Sequence, residues 1–379
     1  MKKLASLLTS LIVLVSAPIF AANISDNLKA SIEGVANQPT SILFTLENTS
    51  PDLTIRFVRW HTPLEGTFTK DIFLVTLNGA IQSYQGRVLR RRPPQSSDYI
   101  TLNPGEKVST AIDLSGVYDM TQSGSYRIQF RSNLLDVEVV TASSKRSANT
   151  APNAERITSQ SLLLNLSNAS KRTAPAQVAE ASSFSSCSAS QTNWIQDAHN
   201  RAIGLASESK NAMANTTAAS RPTAARYVKW FGSYSSARYQ RVLDAFNKMS
   251  TALNTQNIQY ICDCDQYFEQ IGVYAFVYSN DEYNVHICQN TFSLGVTGSD
   301  TRAGTIIHEL SHFTVLGGTD DHGYGYNTAL SLAISNPSNA VDNAENYLFF
   351  AENIPNLTNG TAQSGGSSIV IAPILQLLL

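Results

Sequence analysis

Two histidines four residues apart, His308 and His312, constrain this chain more than any other feature. On an α-helix that spacing puts both imidazoles on one face, one turn apart, where they can share a zinc ion. The neighbouring residues favour a helix. Ser299 or Asp300 offers an N-cap, Ala303, Ile306, Ile307 and Leu310 give apolar spacing, and Gly317-Gly318 supplies a stop. Glu309 is turned about a hundred degrees round such a helix from His308. It therefore flanks a metal rather than binding it, and is placed to take a proton from a zinc-activated water.

A catalytic zinc usually takes three protein ligands and keeps one position for water. The third ligand therefore decides the class of site. A pattern with glycine three residues after the second histidine, and a third histidine three beyond that, fails, because those positions are Val315 and Gly318. A glutamate from a later helix is a second option, and Glu345 in Asn343-Ala344-Glu345-Asn346 suits it. A third pattern is Gly-Thr-x-Asp-x-x-Tyr-Gly just after the helix, with the aspartate as ligand. Gly318, Thr319, Asp321, Tyr324 and Gly325 fill it. Asp320 then reads as a loop-capping residue, and His322 as an exposed or supporting neighbour.

The chain has 379 residues, enough for two domains with cores of their own. Its net charge of −2 gives a nucleic-acid partner no electrostatic support. Met1-Lys2-Lys3, an apolar run to Phe20 and then Ala21-Ala22 read as a secretory signal over residues 1–22. Ser6, Thr9, Ser10, Ser16 and Pro18 interrupt that run, so no stable membrane insertion is expected. The four cysteines, Cys187, Cys262, Cys264 and Cys288, all lie in the second half. Export makes disulfides the default state. Cys262 and Cys264 are too close to bridge each other comfortably, which leaves two pairings open.

Residues 23–168 predict an all-β, sandwich-like domain. Short apolar runs at 41–46, 55–58, 72–75, 108–112 and 126–130 are separated by turn signals such as Asn103-Pro104-Gly105, and 157–166 reads as a last strand. His61 stands alone there and reads as structural. Arg90-Arg91-Arg92 reads as a solvated basic loop. Residues 169–183 are rich in Ala and Ser, carry Pro175 and Lys171-Arg172, and form a linker. Residues 184–356 predict an α+β domain, with helices over 191–213 and 236–253 and strands over 272–278 and 283–288 ahead of the two histidines. The acidic balance sits on this domain, which suits a basic substrate residue. The tail, 357–379, is too short and broken to span a bilayer and has no assigned role.

The second domain resembles the aspzincin family, the deuterolysins and peptidyl-lysine metalloendopeptidases, over roughly residues 185–353. Beyond the zinc helix and its following loop, the resemblance rests on four segments. They are Trp230-Phe231-Gly232, Cys262-Asp263-Cys264, the run from Gly298 to Thr305, and Asn343-Ala344-Glu345-Asn346 with Phe350-Ala351-Glu352-Asn353. It implies a zincin-like fold, in which an edge strand holds the substrate backbone by strand addition. It implies that His308, His312 and Asp321 bind one zinc per chain, that Glu309 is the general base, and that Tyr324 donates to the oxyanion. Glu345 would line the pocket for a lysine following the scissile bond. A second acid of the family's pattern, three residues on, is Leu348 here.

The resemblance also implies the pairings Cys187–Cys262 and Cys264–Cys288. It implies a proenzyme whose β-domain is a propeptide that helps folding or covers the cleft, removed by self-cleavage just before Lys171. The expectation is a secreted zinc metalloendopeptidase acting on proteins and peptides, with its own propeptide as a partner. Two alternatives stand beside it: the same enzyme with Glu345 as third ligand, and a non-catalytic secreted binding protein with structural zinc.

Overall fold

Period-two alternation shapes the first half of the chain, and the computed structural model, which describes residues 24–140, 154–167 and 183–357, shows where each strand goes. The signal segment, Lys171 with nearly all of the linker, and the tail after residue 357 lie outside the described residues. The strands of the first half are β1 (Leu28–Val35), β2 (Gln38–Asn48), β3 (Ile55–Val58), β4 (Phe73–Leu77), β5 (Ala80–Ile81), β6 (Arg87–Arg91), β7 (Tyr99–Leu102), β8 (Lys107–Asp113), β9 (Gly124–Val139), β10 (Ala154–Thr158) and β11 (Leu162–Leu166). One sheet runs β1-β2-β8 and the other β5-β4-β9-β3-β7. Every second residue faces inward: Ile42, Phe44 and Leu46 from β2 meet Phe73 and Val75 from β4 and Tyr126, Ile128 and Phe130 from β9. The Phe44 and Phe130 rings, 4.7 Å apart, join the two layers.

The single last strand expected over 157–166 is two strands, both antiparallel to β9. Thr158 pairs with Arg131 and Leu162 with Ile128, so the later chain carries one extra residue between the two pairs. That is a β-bulge. The Ser159 hydroxyl fills it by accepting from the Phe130 amide at 3.0 Å.

The second domain contains β12 (Phe184–Ser185), α1 (Ala189–Ala214), α2 (Ala225–Phe231), α3 (Ser236–Thr255), β13 (Gln259–Ile261), α4 (Gln266–Gln270), β14 (Val273–Tyr278), β15 (Asn284–Ile287), α5 (Arg302–His312), α6 (Tyr326–Ser335), α7 (Pro337–Ala340) and α8 (Ala344–Glu352). Helix α1 opens on a capping box. The Ser188 hydroxyl accepts from the Gln191 amide, and the Gln191 side chain accepts from the Ser188 amide. The helices pack on an aromatic core in which Trp230 stacks on Phe349 at 5.2 Å and Phe231 meets Phe350 at 5.3 Å. Disulfides join Cys187 to Cys262 and Cys264 to Cys288, pinning the segment between β13 and α4 to the start of α1 and the end of β15.

The sheet of this domain runs β12-β13-β15-β14-β6, so its last strand comes from the first domain. This corrects the reading of Arg90-Arg91-Arg92 as a solvated loop. Arg90 and Arg91 are each 1% exposed. Burying a guanidinium is costly unless it is paired, and here each has a carboxylate. Arg90 pairs with Asp300 and Glu345, Arg91 with Glu65 at 2.6 Å, and Arg92 with Asp98 at 2.6 Å. The partners of Arg90 lie more than two hundred residues away, beyond the reach of local sequence pattern.

Helix α2 ends at Gly232 with φ 73°, where a β-carbon would stand 2.0 Å from the Ala333 carbonyl oxygen. Gly232→Ala should destabilise the chain by about 1–3 kcal/mol from backbone strain alone, and further through the clash. A lower thermal midpoint at fixed metal concentration checks it; an unchanged midpoint contradicts the close approach.

Candidate metal centre

The helix that carries both histidines, α5, starts later than either expected cap, Ser299 or Asp300, would place it. Its N-cap is Thr301, whose hydroxyl accepts from the Gly304 amide at 3.0 Å. Asp300 instead takes a left-handed conformation, φ 63°, and its amide donates to Glu352 at 2.7 Å. Glu352 also accepts from the Thr301 amide and hydroxyl, at 2.7 and 2.8 Å. A carboxylate thus sits at the positive end of the helix dipole. Burial raises its pKa from the usual carboxylate range. The helix stops at His312, and Gly317-Gly318 lies beyond its end, within the loop that folds back over it.

That folding-back creates the site. Donor atoms of His308, His312 and Asp321 lie within 4.8 Å of one another. The Nε2 of His308 is 3.3 Å from Asp321 Oδ1, and that of His312 is 3.5 Å from Asp321 Oδ2. The far sides of both rings are anchored. His308 Nδ1 donates to Glu345 Oε2 at 3.0 Å, and His312 Nδ1 donates to the Thr319 carbonyl at 2.9 Å. Acceptors on the Nδ1 side fix the tautomer that leaves each Nε2 lone pair free. His308 Nε2, His312 Nε2, Asp321 Oδ1 and both Glu309 oxygens are buried and make no hydrogen bond. Buried polar atoms are normally bonded, so this orphaned set of two imidazoles and a carboxylate fits a metal of zinc's preferences.

The electrostatics agree with that fit. Burial alone would lower the pKa of His308 and His312, but the Asp321 charge outweighs it and holds both above the ordinary histidine value. Burial would raise Asp321, yet His312 and His308 hold it well below the carboxylate range. The three groups together favour positive charge between them. Glu309, enclosed beside them, is pushed by burial up to about 8.

Asp321, and not Glu345, stands beside the two Nε2 atoms. Glu345 lies behind His308, and its second oxygen accepts from the Gly325 amide at 2.9 Å. Asp320 turns away: one oxygen accepts from the Asp321 amide at 2.8 Å and the other pairs with Lys70 at 2.8 Å. His322 pairs with Asp342 at 2.8 Å, outside the cluster. The Tyr324 hydroxyl donates to Asp321 Oδ2 at 3.3 Å. Asn343 holds the loop by accepting from the His322 and Gly323 amides, and Asn346 anchors the segment to the Trp230 and Ala329 carbonyls. Leu348 is fully buried, against Gly304 of α5.

The first domain reaches this site through Trp60, His61 and Lys70, residues that sequence reading had not placed there. The Trp60 ring meets Tyr324 edge-on at 5.7 Å, and Lys70 Nζ donates to the Asp321 carbonyl at 2.5 Å. His61 is not alone: its ring lies 6.2 Å from Tyr324. Burial, then Lys70 and Arg91, hold its pKa well below the ordinary value, so it is neutral. The arginine run was the one local signal available, and nothing near it in sequence named the partners of Arg90.

A family model described as lysine-specific metallo-endopeptidase, the aspzincins, matches residues 216–352, and an immunoglobulin-like domain model matches residues 27–140. An extracellular protease of Aeromonas hydrophila is 32% identical over 90% of this chain and 95% of its own length. A peptidyl-Lys metalloendopeptidase of Armillaria mellea is 32% identical over 88% of this chain and 93% of its own. The solved zinc peptidase from Grifola frondosa is 35% identical, covers 45% of this chain and all of its own, and superposes with a TM-score of 0.41.

Because Glu345 orients His308, Glu345→Gln should weaken zinc binding about 10–100-fold, read by competition with a chromophoric chelator. Unchanged affinity would remove Glu345 from support of the centre.

Proposed function

The chain belongs to the aspzincin family of zinc metalloendopeptidases, and from that premise we propose a secreted proenzyme in which His308, His312 and Asp321 hold one zinc per chain, Glu309 is the general base, and lysine is preferred after the cut. The observation that carries this reading is the convergence of three orphaned donor atoms, with both oxygens of the buried Glu309 also unbonded.

Zinc at this site supplies a Lewis acid for the peptide carbonyl and lowers the pKa of the attacking water. Glu309 takes the proton of that water and delivers it to the leaving amine. Its pKa, pushed up to about 8, suits both transfers. Tyr324 stays protonated, because burial and then the Asp321 charge hold its pKa well above the usual value. Its hydroxyl donates to the oxygen that becomes negative as the tetrahedral carbon forms. Glu345 offers buried negative charge to a lysine ammonium. The immunoglobulin-like domain is the propeptide, and the chain releases it by cutting before Lys171. Secretion rests on the basic, apolar and small-residue order of residues 1–22 and on an extracellular relative.

A cleavage map tests this. New N-termini from a digested denatured protein should begin with lysine, and chelation should stop the cuts. Glu309→Gln should slow hydrolysis about 10²–10⁴-fold while retaining zinc. Asp321→Ala should lose the metal. A Glu309→Gln protein as fast as wild type sinks the mechanism, whereas cuts before other residues retire only the Glu345 pocket. A Lys171→Ala protein that matures with an unchanged N-terminus refutes self-cleavage there.

A further inference from the structure

Two hydroxyls are buried behind the metal centre. Ser311 lies on α5 between the two histidines, and Thr319 lies in the loop that returns over the helix, two residues before Asp321. The loop comes very close to the helix there. The Thr319 amide donates to the Ser311 carbonyl at 3.0 Å, and a β-carbon at Gly317 would stand 2.6 Å from that same carbonyl oxygen. The two hydroxyl oxygens are 2.7 Å apart.

The direction of their protons follows from their neighbours. The Ser311 hydroxyl donates to the His308 carbonyl at 2.7 Å, which uses its only proton. In its contact with Thr319 it therefore accepts, and Thr319 donates. Thr319 then has no proton left for its other neighbour, His312 Nδ1, at 3.4 Å. Turned this way, the Thr319 hydroxyl shows lone pairs to Nδ1 and tolerates the ring proton that Nδ1 donates to the Thr319 carbonyl at 2.9 Å. Turned the other way, it would donate to Nδ1, and the ring proton would move to Nε2, the atom that faces Asp321 at 3.5 Å. An imidazole protonated at Nε2 has no lone pair there for a metal.

We propose that Ser311 and Thr319 are positioning residues that hold His312 in its metal-binding tautomer. Ser311 accepts the one proton with which Thr319 would otherwise compete for His312 Nδ1. The proposal rests on the reading of His312 as a zinc ligand and adds what keeps its Nε2 free. For His308 that task falls to a charged group, Glu345; for His312 it falls to a carbonyl and a directed pair of neutral hydroxyls.

Two substitutions separate this role from a simple tie between loop and helix. Ser311→Ala and Thr319→Val both delete the hydroxyl–hydroxyl hydrogen bond, so a tie predicts equal losses. Under the proposal they differ, because Thr319→Val removes the rival donor whereas Ser311→Ala sets it free. Zinc affinity of the full-length protein, read at equilibrium against a chromophoric chelator, tests this. Thr319→Val should bind about 2–10-fold more weakly, the worth of one hydrogen bond. Ser311→Ala should bind about 10–100-fold more weakly. The double variant should recover to the level of Thr319→Val alone, a gain that two lost ties cannot give. Equal losses in the single variants, or a double variant weaker than Ser311→Ala, overturn the proposal and leave the zinc ligands standing. A His312→Ala protein that binds zinc as tightly as wild type overturns the ligand reading and the proposal with it.

Because affinity also falls when folding fails, the ring itself supplies a second readout. Nitrogen-15 shifts of the zinc-free protein, at an alkaline pH where the imidazole is neutral, should show His312 protonated at Nδ1 in wild type and in Thr319→Val. In Ser311→Ala a share of the proton should appear on Nε2. The same Nδ1-protonated ring in all three proteins overturns the proposal.

Discussion

A single buried carboxylate, that of Glu345, ties the molecule together. A charge only 2% exposed is tolerated when it is hydrogen-bonded and paired with opposite charge, and this one is held from three directions. His308 comes from α5, the Gly325 amide from the loop that carries Asp321 and Tyr324, and Arg90 from the first domain. Burial would raise the pKa of Glu345, but Arg90 and His308 outweigh it and hold it below the usual value. The flanking Asn343 and Asn346 extend the same logic to the loop and to α2. Moving α8 would therefore release a histidine ring, the loop that carries Asp321 and an inter-domain strand together.

The docking of the two domains is electrostatic in plan. The first domain sends Lys70, Arg87 and Arg90 against Asp320, Asp265, Asp300 and Glu345 of the acidic second domain. These pairs do not count equally. Arg87 and Asp265 are partly open to solvent and contribute little. Arg90 is enclosed, so its geometry matters more than its charge: removing either partner there would strand the other in a dry pocket.

Local chemistry was legible in the sequence and long-range chemistry was not. The two histidines, Glu309, and the Asp321–Tyr324 loop lie within twenty residues; helical spacing predicts that the two imidazoles share a face, and the family resemblance of the loop implies that Asp321 and Tyr324 join them. Alternation likewise revealed the strands on either side of Phe44 and Phe130. The bulge at Ser159 was hidden because a single extra residue barely disturbs an apolar pattern. Glu345 was recognised as an acid near the site, but its hold on His308 Nδ1 depends on how α8 crosses α5. The arginine run was misread for a related reason. Three adjacent cations look solvated until carboxylates brought in by the fold appear beside them.

The pairing of β6 with β14 has a further consequence, for solubility rather than for catalysis. Val273-Tyr274-Ala275-Phe276-Val277-Tyr278 has no charge, no proline and no glycine. Left bare, its outer row of amides and carbonyls would be a template on which another copy of the chain could stack. The strand contributed by the first domain shields that edge from the moment the protein folds, so the same contact guards against self-association.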